Sequence, residues 1–161
     1  MSCRTTLGAA IASVCAVIAV GGVIGTAGAT SNRSGNQLAG TWSVTLDRPA
    51  PQPPLASLQV YTRPGSMVES GNDSASRSPQ YASWKRLAGR KYAATGVFFR
   101  FDPQTGAFLG EAKINRTINL SRNGQSFTFQ GRATVYDANG NVVANIPVSG
   151  SGQRLKVEEP S

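Results

Sequence analysis

The sequence predicts an all-β fold: an eight-stranded antiparallel up-and-down barrel preceded by an N-terminal signal helix. Three observations predict it. Between residues 40 and 157 apolar and polar residues alternate with period two in short segments, with no stripe at helical spacing. Clusters of Gly, Pro, Asn and Asp separate those segments, and such residues build tight turns. An uncharged, largely apolar run from Leu7 to Ala29 precedes them.

Arg4 stands before that run, and the small residues Ala27-Gly28-Ala29 close it ahead of polar Thr30-Ser31-Asn32-Arg33. The pattern predicts a secretory signal peptide over 1–29, cleaved after Ala29. An uncleaved anchor is the alternative, because about 20 apolar residues span a bilayer. Residues 30–37 then form a flexible linker, 38–157 the barrel domain and 158–161 a disordered tail. The expected location is secreted or cell-envelope, with membrane contact only through an uncleaved signal. Cys3 and Cys15 are the only thiols and both fall in the leader, so the mature chain relies on packing without disulfides.

Strands are expected, in order, at about 40–46, 55–62, 66–70, 80–88, 91–101, 107–120, 125–136 and 141–156. Four short connections join the last five: Gly89-Arg90, Asp102-Pro103-Gln104-Thr105-Gly106, Ser121-Arg122-Asn123-Gly124 and Asp137-Ala138-Asn139-Gly140. Short hairpin loops make neighbours in sequence neighbours in space, which is an antiparallel meander. Closing such a meander into a barrel buries one face of every strand and removes exposed edges. A two-sheet sandwich is the rival. It needs long crossovers, and only the Pro-rich stretch 47–54 and the Ser/Asn/Gly-rich stretch 71–79 have the length.

Period-two phasing assigns Trp42, Val44 and Leu46 to the interior of the first strand. It assigns Val97, Phe99 and Phe101 to the interior of the fifth. Phe127, Phe129, Ala133 and Val135 point inward on the seventh, and Val142, Ala144, Ile146 and Val148 on the eighth. Gly96 and Gly131 relieve crowding where the wall bends. On the sixth strand Arg116 shares a phase with Ile114, Ile118 and Leu120, and a buried guanidinium needs a partner. Three arrangements satisfy it: snorkelling to water at the rim, an internal carboxylate with Glu69 as the best candidate, or the acidic head of a bound ligand. Trp84 is either core packing or an aromatic wall at a cavity mouth. Tyr61, Tyr81, Tyr92 and Tyr136 are either candidate proton donors in a pocket or surface and strand-packing residues.

The segment Gly40-Thr41-Trp42 at the first strand, with Gly152-Gln153-Arg154 at the end of the meander, resembles the calycin superfamily and its lipocalin-like barrels. The stretch from Leu38 to Leu155 is most similar to a group of small exported bacterial calycin-like proteins of unassigned activity. Its marks here are Gly40-Thr41-Trp42, Glu69-Ser70-Gly71, Ser83-Trp84-Lys85-Arg86, Phe101-Asp102, Thr117-Ile118-Asn119-Leu120 and Asp137-Ala138-Asn139-Gly140-Asn141. The resemblance implies that Trp42 plugs the closed end of the barrel and that Arg154 packs over its indole, a pairing that cation–π attraction favours. A Thr-Asp-Tyr loop, the second lipocalin signature, is absent.

The chain has no histidine, which excludes Ser-His-Asp and Cys-His nucleophile systems and His-ligated zinc. Paired-carboxylate motifs, phosphate-binding Gly loops and metal-ligand spacings are absent as well. No catalytic residue, metal or cofactor is therefore assigned. The leading expectation is a non-catalytic barrel holding a small apolar or acidic amphipathic molecule, with Arg116, Glu69, Trp84, Phe99, Phe127 and Phe129 as candidate ligand-binding residues. One alternative is a barrel enzyme of the allene oxide cyclase-like type, using Glu69, Arg116 and a tyrosine on an apolar substrate. The other is a structural barrel attached to acidic envelope polymers. That option follows from 15 bases against 8 acids beyond residue 29, spread singly in a manner that does not form a specific nucleic-acid groove.

Overall fold

The computed structural model of the chain describes residues 37–48 and 51–160. The predicted signal peptide, the linker up to residue 36 and Ser161 lie outside the described residues. The rest is all-β: β1 (Gly40–Leu46), β2 (Leu55–Thr62), β3 (Ser66–Gly71), β4 (Gln80–Ala88), β5 (Lys91–Phe101), β6 (Phe108–Leu120), β7 (Ser126–Tyr136) and β8 (Val142–Arg154). No helix occurs among the described residues. Every strand lies within two residues of its expected bounds.

Each strand pairs antiparallel with its sequence neighbour, and β8 returns to pair with β1, closing the barrel. Closure follows from the local chemistry. Strict alternation in β2, with Leu55, Ser57, Gln59 and Tyr61 buried and the residues between them exposed, gives the sheet one face to hide and no helix to hide it against. The turns are preset by their residues. Asp137 accepts hydrogen bonds from the Asn139 and Asn141 amides at 2.9 and 2.8 Å, while Gly140 takes the left-handed φ of +86° that this turn requires.

The two ends of the barrel differ. At the closed end Leu38, Trp42, Tyr61, Met67, Trp84, Tyr92, Ile118 and Phe127 pack into one cluster. Burying each large apolar side chain there contributes roughly 1.5–3 kcal/mol. At the opposite mouth the strands are unequal. β1 ends at Leu46, opposite Gly150, but β7 and β8 run on to Tyr136 and Val142. The β5–β6 and β7–β8 hairpins therefore overhang the mouth as a curved wall.

Two phase expectations change. On β5 the buried residues are Tyr92, Ala94 and Gly96, and Phe99 lies outside at 52 % exposure, clustered with Phe101 and Phe108. Closure decides this. Ala94 pairs with both Trp84 and Arg116, which face inward, so a small residue fits at that position of β5. The expected inward set Val97, Phe99 and Phe101 is thus the outer set. On β8 Ala144, Ile146 and Val148 do pair with the inward side of β7, but Ile146 is 47 % exposed because it sits on the overhang. A register shift between Val135 and Tyr136 then places Val142 opposite Tyr136, out of the expected phase. Gly96 and Gly131 do stand at tight places: a Cβ on Gly96 would lie 2.7 Å from the Ala82 Cβ, and one on Gly131 would strike the Asn115 carbonyl oxygen.

Candidate functional site

Midway up the barrel, above the aromatic cluster, the inward positions of β2, β3, β4 and β6 are polar: Gln59, Glu69, Gln80 and Arg116, all buried. Register brings them together. Gln59 is the Cα partner of Glu69, and Glu69 is the partner of Gln80. Arg116 reaches in from the far wall, its guanidinium 3.8 Å from Glu69 and 5.1 Å above the Phe129 ring.

The bonds inside this layer are specific. Gln59 Nε2 donates to Glu69 Oε2 at 2.9 Å, and the Tyr61 hydroxyl donates to Gln59 Oε1 at 2.8 Å. Arg116 Nη2 donates to Gln59 Oε1 and to the Tyr61 oxygen, each at 3.2 Å. From the mouth, Arg77 in the β3–β4 loop extends inward and donates to Glu69 Oε1 at 2.9 Å, while its Nε donates to Asp73 at 2.6 Å. Glu69 thus holds two arginines arriving from opposite directions. Gly71 makes this possible, because a side chain there would collide with the Arg77 guanidinium. Burial pushes the Tyr61 hydroxyl above its ordinary pKa against the opposing pull of Arg116, so it keeps its proton. Burial works against the charge on Arg77, but Asp73 and Glu69 more than offset it and hold that pKa above the usual arginine value.

The layer is incompletely satisfied. Gln80 is 0 % exposed, and among the described residues neither its Nε2 nor its Oε1 has a hydrogen-bond partner; Arg116 Nη1 has none either. Each such group costs about 1–3 kcal/mol when left unbonded in the interior, and buried polar groups are bonded in the great majority of folded structures.

The sequence candidates fall in four places. Glu69 and Arg116 meet in the polar layer, so Arg116 takes the internal ion pair and does not snorkel at the rim. Phe129 lies under the Arg116 guanidinium. Trp84 and Phe127 belong to the closed-end core: Trp84 stands 5.9 Å from Tyr61 and 5.7 Å from Tyr92, with its indole N–H on the Ser66 carbonyl, and Phe127 stands 4.8 Å from Trp42. Phe99 is on the outer wall. Trp42 and Arg154 meet at the closed end, 4.2 Å from guanidinium carbon to indole centroid.

Gln59, Gln80 and Arg77 were missed. The first two carry the same signal that singled out Arg116, a polar residue in phase with buried neighbours: Leu55, Gln59 and Tyr61 on β2, and Gln80 and Trp84 on β4. Arg77 lies in a loop, where no periodicity marks it.

Two recesses lie outside the Gln59–Glu69–Gln80–Arg116 layer. One of about 730 Å³ runs beside Asp47, Thr117, Gln130 and Ser149, and one of about 260 Å³ lies between Ser70, Ser74, Arg77 and Phe101. Neither is lined by the six candidates. Among the described residues no cluster of three or more His, Cys, Asp or Glu side chains is placed to hold a metal. No family model matches the chain, and neither curated proteins nor solved structures give a match.

Proposed function

We propose that this chain is an exported, non-catalytic barrel that holds one small amphipathic molecule in its mouth half, against the polar layer of Gln80, Glu69 and Arg116. The observation that carries the reading is the set of orphaned polar atoms on Gln80 and Arg116, deep inside the barrel. The overhanging wall, with Ile114, Ala133 and Ile146 on its inner side, supplies apolar surface for the rest of the molecule. The closed half is packed by the aromatic cluster and serves as a rigid floor. Of the six nominated residues, Arg116, Glu69 and Phe129 stay with this proposal. Trp84 and Phe127 support it from below, and Phe99 is dropped because it faces away from the interior.

Convergence of Tyr61, Arg116 and Glu69 is what an acid–base reading would need. Those groups are engaged with one another, however, and the Tyr61 hydroxyl donates inward to Gln59, so the geometry favours holding a molecule over transforming it. Export by residues 1–29, kinship with calycin-like barrels and loose attraction of the basic domain to acidic envelope polymers belong to the same proposal.

Native mass spectrometry of protein purified from its own host tests the reading. A retained mass that departs on collisional activation, and that is reduced in the Arg116→Met variant, is the expected result. A bare polypeptide mass, together with no binding of any amphipathic probe, would make the barrel a structural one.

A further inference from the structure

Resting on that reading, we infer that the head group bound inside the barrel is neutral and both donates and accepts hydrogen bonds, as a carboxamide, lactam or imide does, and is not a carboxylate. This departs from the acidic head that Arg116 alone suggests.

The argument starts from charge. Two buried cations, Arg77 and Arg116, share Glu69, and Asp73 stands between Arg77 and the more exposed Arg48. A carboxylate delivered to Arg116 Nη1 would arrive beside Glu69, whose Oε2 lies 3.8 Å from that same nitrogen. The added negative charge would find no uncommitted cation in the layer and one carboxylate to repel it.

Hydrogen-bonding capacity gives the second constraint. Gln80 has an unpaired donor and an unpaired acceptor on one planar amide, and an ionised carboxylate offers acceptors only. It would leave Gln80 Oε1 unbonded and set oxygen against oxygen. A group carrying a carbonyl next to an N–H meets both edges of the Gln80 amide with two antiparallel bonds. Its carbonyl retains a second lone pair, which suits the unpaired N–H on Arg116 Nη1. Gln80 is the register partner of Glu69, and Arg116 Nη1 lies 3.8 Å from the Glu69 carboxylate. Gly96 gives the Gln80 amide its place: a Cβ there would lie 2.7 Å from Gln80 Nε2.

Three probes with one tail and different heads separate the outcomes: octanamide, octanoate and 1-octanol, titrated into the barrel domain at pH 7.5 by calorimetry, with amide chemical shifts to locate the site. The expected result is octanamide binding at least tenfold more tightly than octanoate or octanol, with the largest shifts at Gln80 and Arg116. The Gln80→Met variant should bring octanamide to within about twofold of octanol. Octanoate binding as tightly as octanamide, or all three binding equally, overturns the neutral-head inference and leaves the carrier reading standing. Absence of binding by all three overturns the carrier reading as well. The wild-type comparison needs no variant to fold.

Discussion

Arg154 lies across the face of Trp42, its guanidinium carbon 4.2 Å from the indole centroid, and the two are Cα partners in the β1–β8 pair that closes the barrel. The same guanidinium donates to the Ala39 carbonyl at 2.9 Å through Nη1, to the Gly124 carbonyl at 2.9 Å through Nε, and to the Gln37 carbonyl through Nη2. One side chain therefore joins the entry to β1, the β6–β7 turn and the aromatic floor. Gly40 is a glycine for this reason, since a Cβ would occupy the space of Arg154 Nη1.

Arg154→Ala should destabilise the domain by about 2–4 kcal/mol, from the lost cation–π contact and the carbonyls left without their donor. Arg154→Lys should recover less than half of this, because an ammonium has no planar fork to reach three carbonyls. Urea denaturation at neutral pH measures both. A loss under about 0.5 kcal/mol for the alanine variant would contradict a closing role.

Glu69→Leu should cost about 3–5 kcal/mol, because it leaves Arg77 and Arg116 buried without their shared carboxylate. Combining it with Arg116→Met should be less damaging than the sum of the two single changes by about 1–3 kcal/mol. Strict additivity in that cycle would show that the 3.8 Å pair carries no coupling.

Gly131→Ala should destabilise by roughly 1–3 kcal/mol or more, because its Cβ would meet the Asn115 carbonyl oxygen and come within 2.7 Å of the Arg116 Cα. At Gly89, where nothing lies within 4 Å and φ is +50°, Asn tolerates the left-handed backbone, and Gly89→Asn should be nearly neutral. Thermal unfolding of the pair separates crowding from backbone freedom.

Tyr61 gives an alkaline signature. Its pKa is raised in the folded protein, chiefly by burial, so the unfolded chain loses this proton first as pH rises. Its stabilising contribution is full below about pH 10, the ordinary tyrosine value, and is lost as pH climbs from there through the folded pKa. The stability of wild-type protein should therefore fall more steeply above pH 10 than that of Tyr61→Phe. Parallel curves for the two proteins between pH 9 and 12 would contradict the assignment.

The strands were legible because their signal is local. Alternation such as Leu55-x-Ser57-x-Gln59-x-Tyr61 and turn residues such as Asp137 and Gly140 act over a few positions, and they place all eight strands and their order. Phase on β5 was not legible in the same way. A strand has two faces, and Val97, Phe99 and Phe101 make the outer one look like the core. The choice depends on Trp84 and Arg116, which flank Ala94 only after β4 and β6 have paired with β5.

By itself, the sequence determined the all-β class, the meander and the demand of Arg116 for a partner. Tertiary structure alone decided how that demand is met: Glu69 and Arg77 are eight residues apart, yet Arg116 joins them across 47 positions from the opposite wall. Hydrophobic periodicity acts within one strand and names the residues that must leave water. Which buried charges and amides then face one another, and that Gln80 meets no partner among the described residues, is set by the shear and closure of the whole ring.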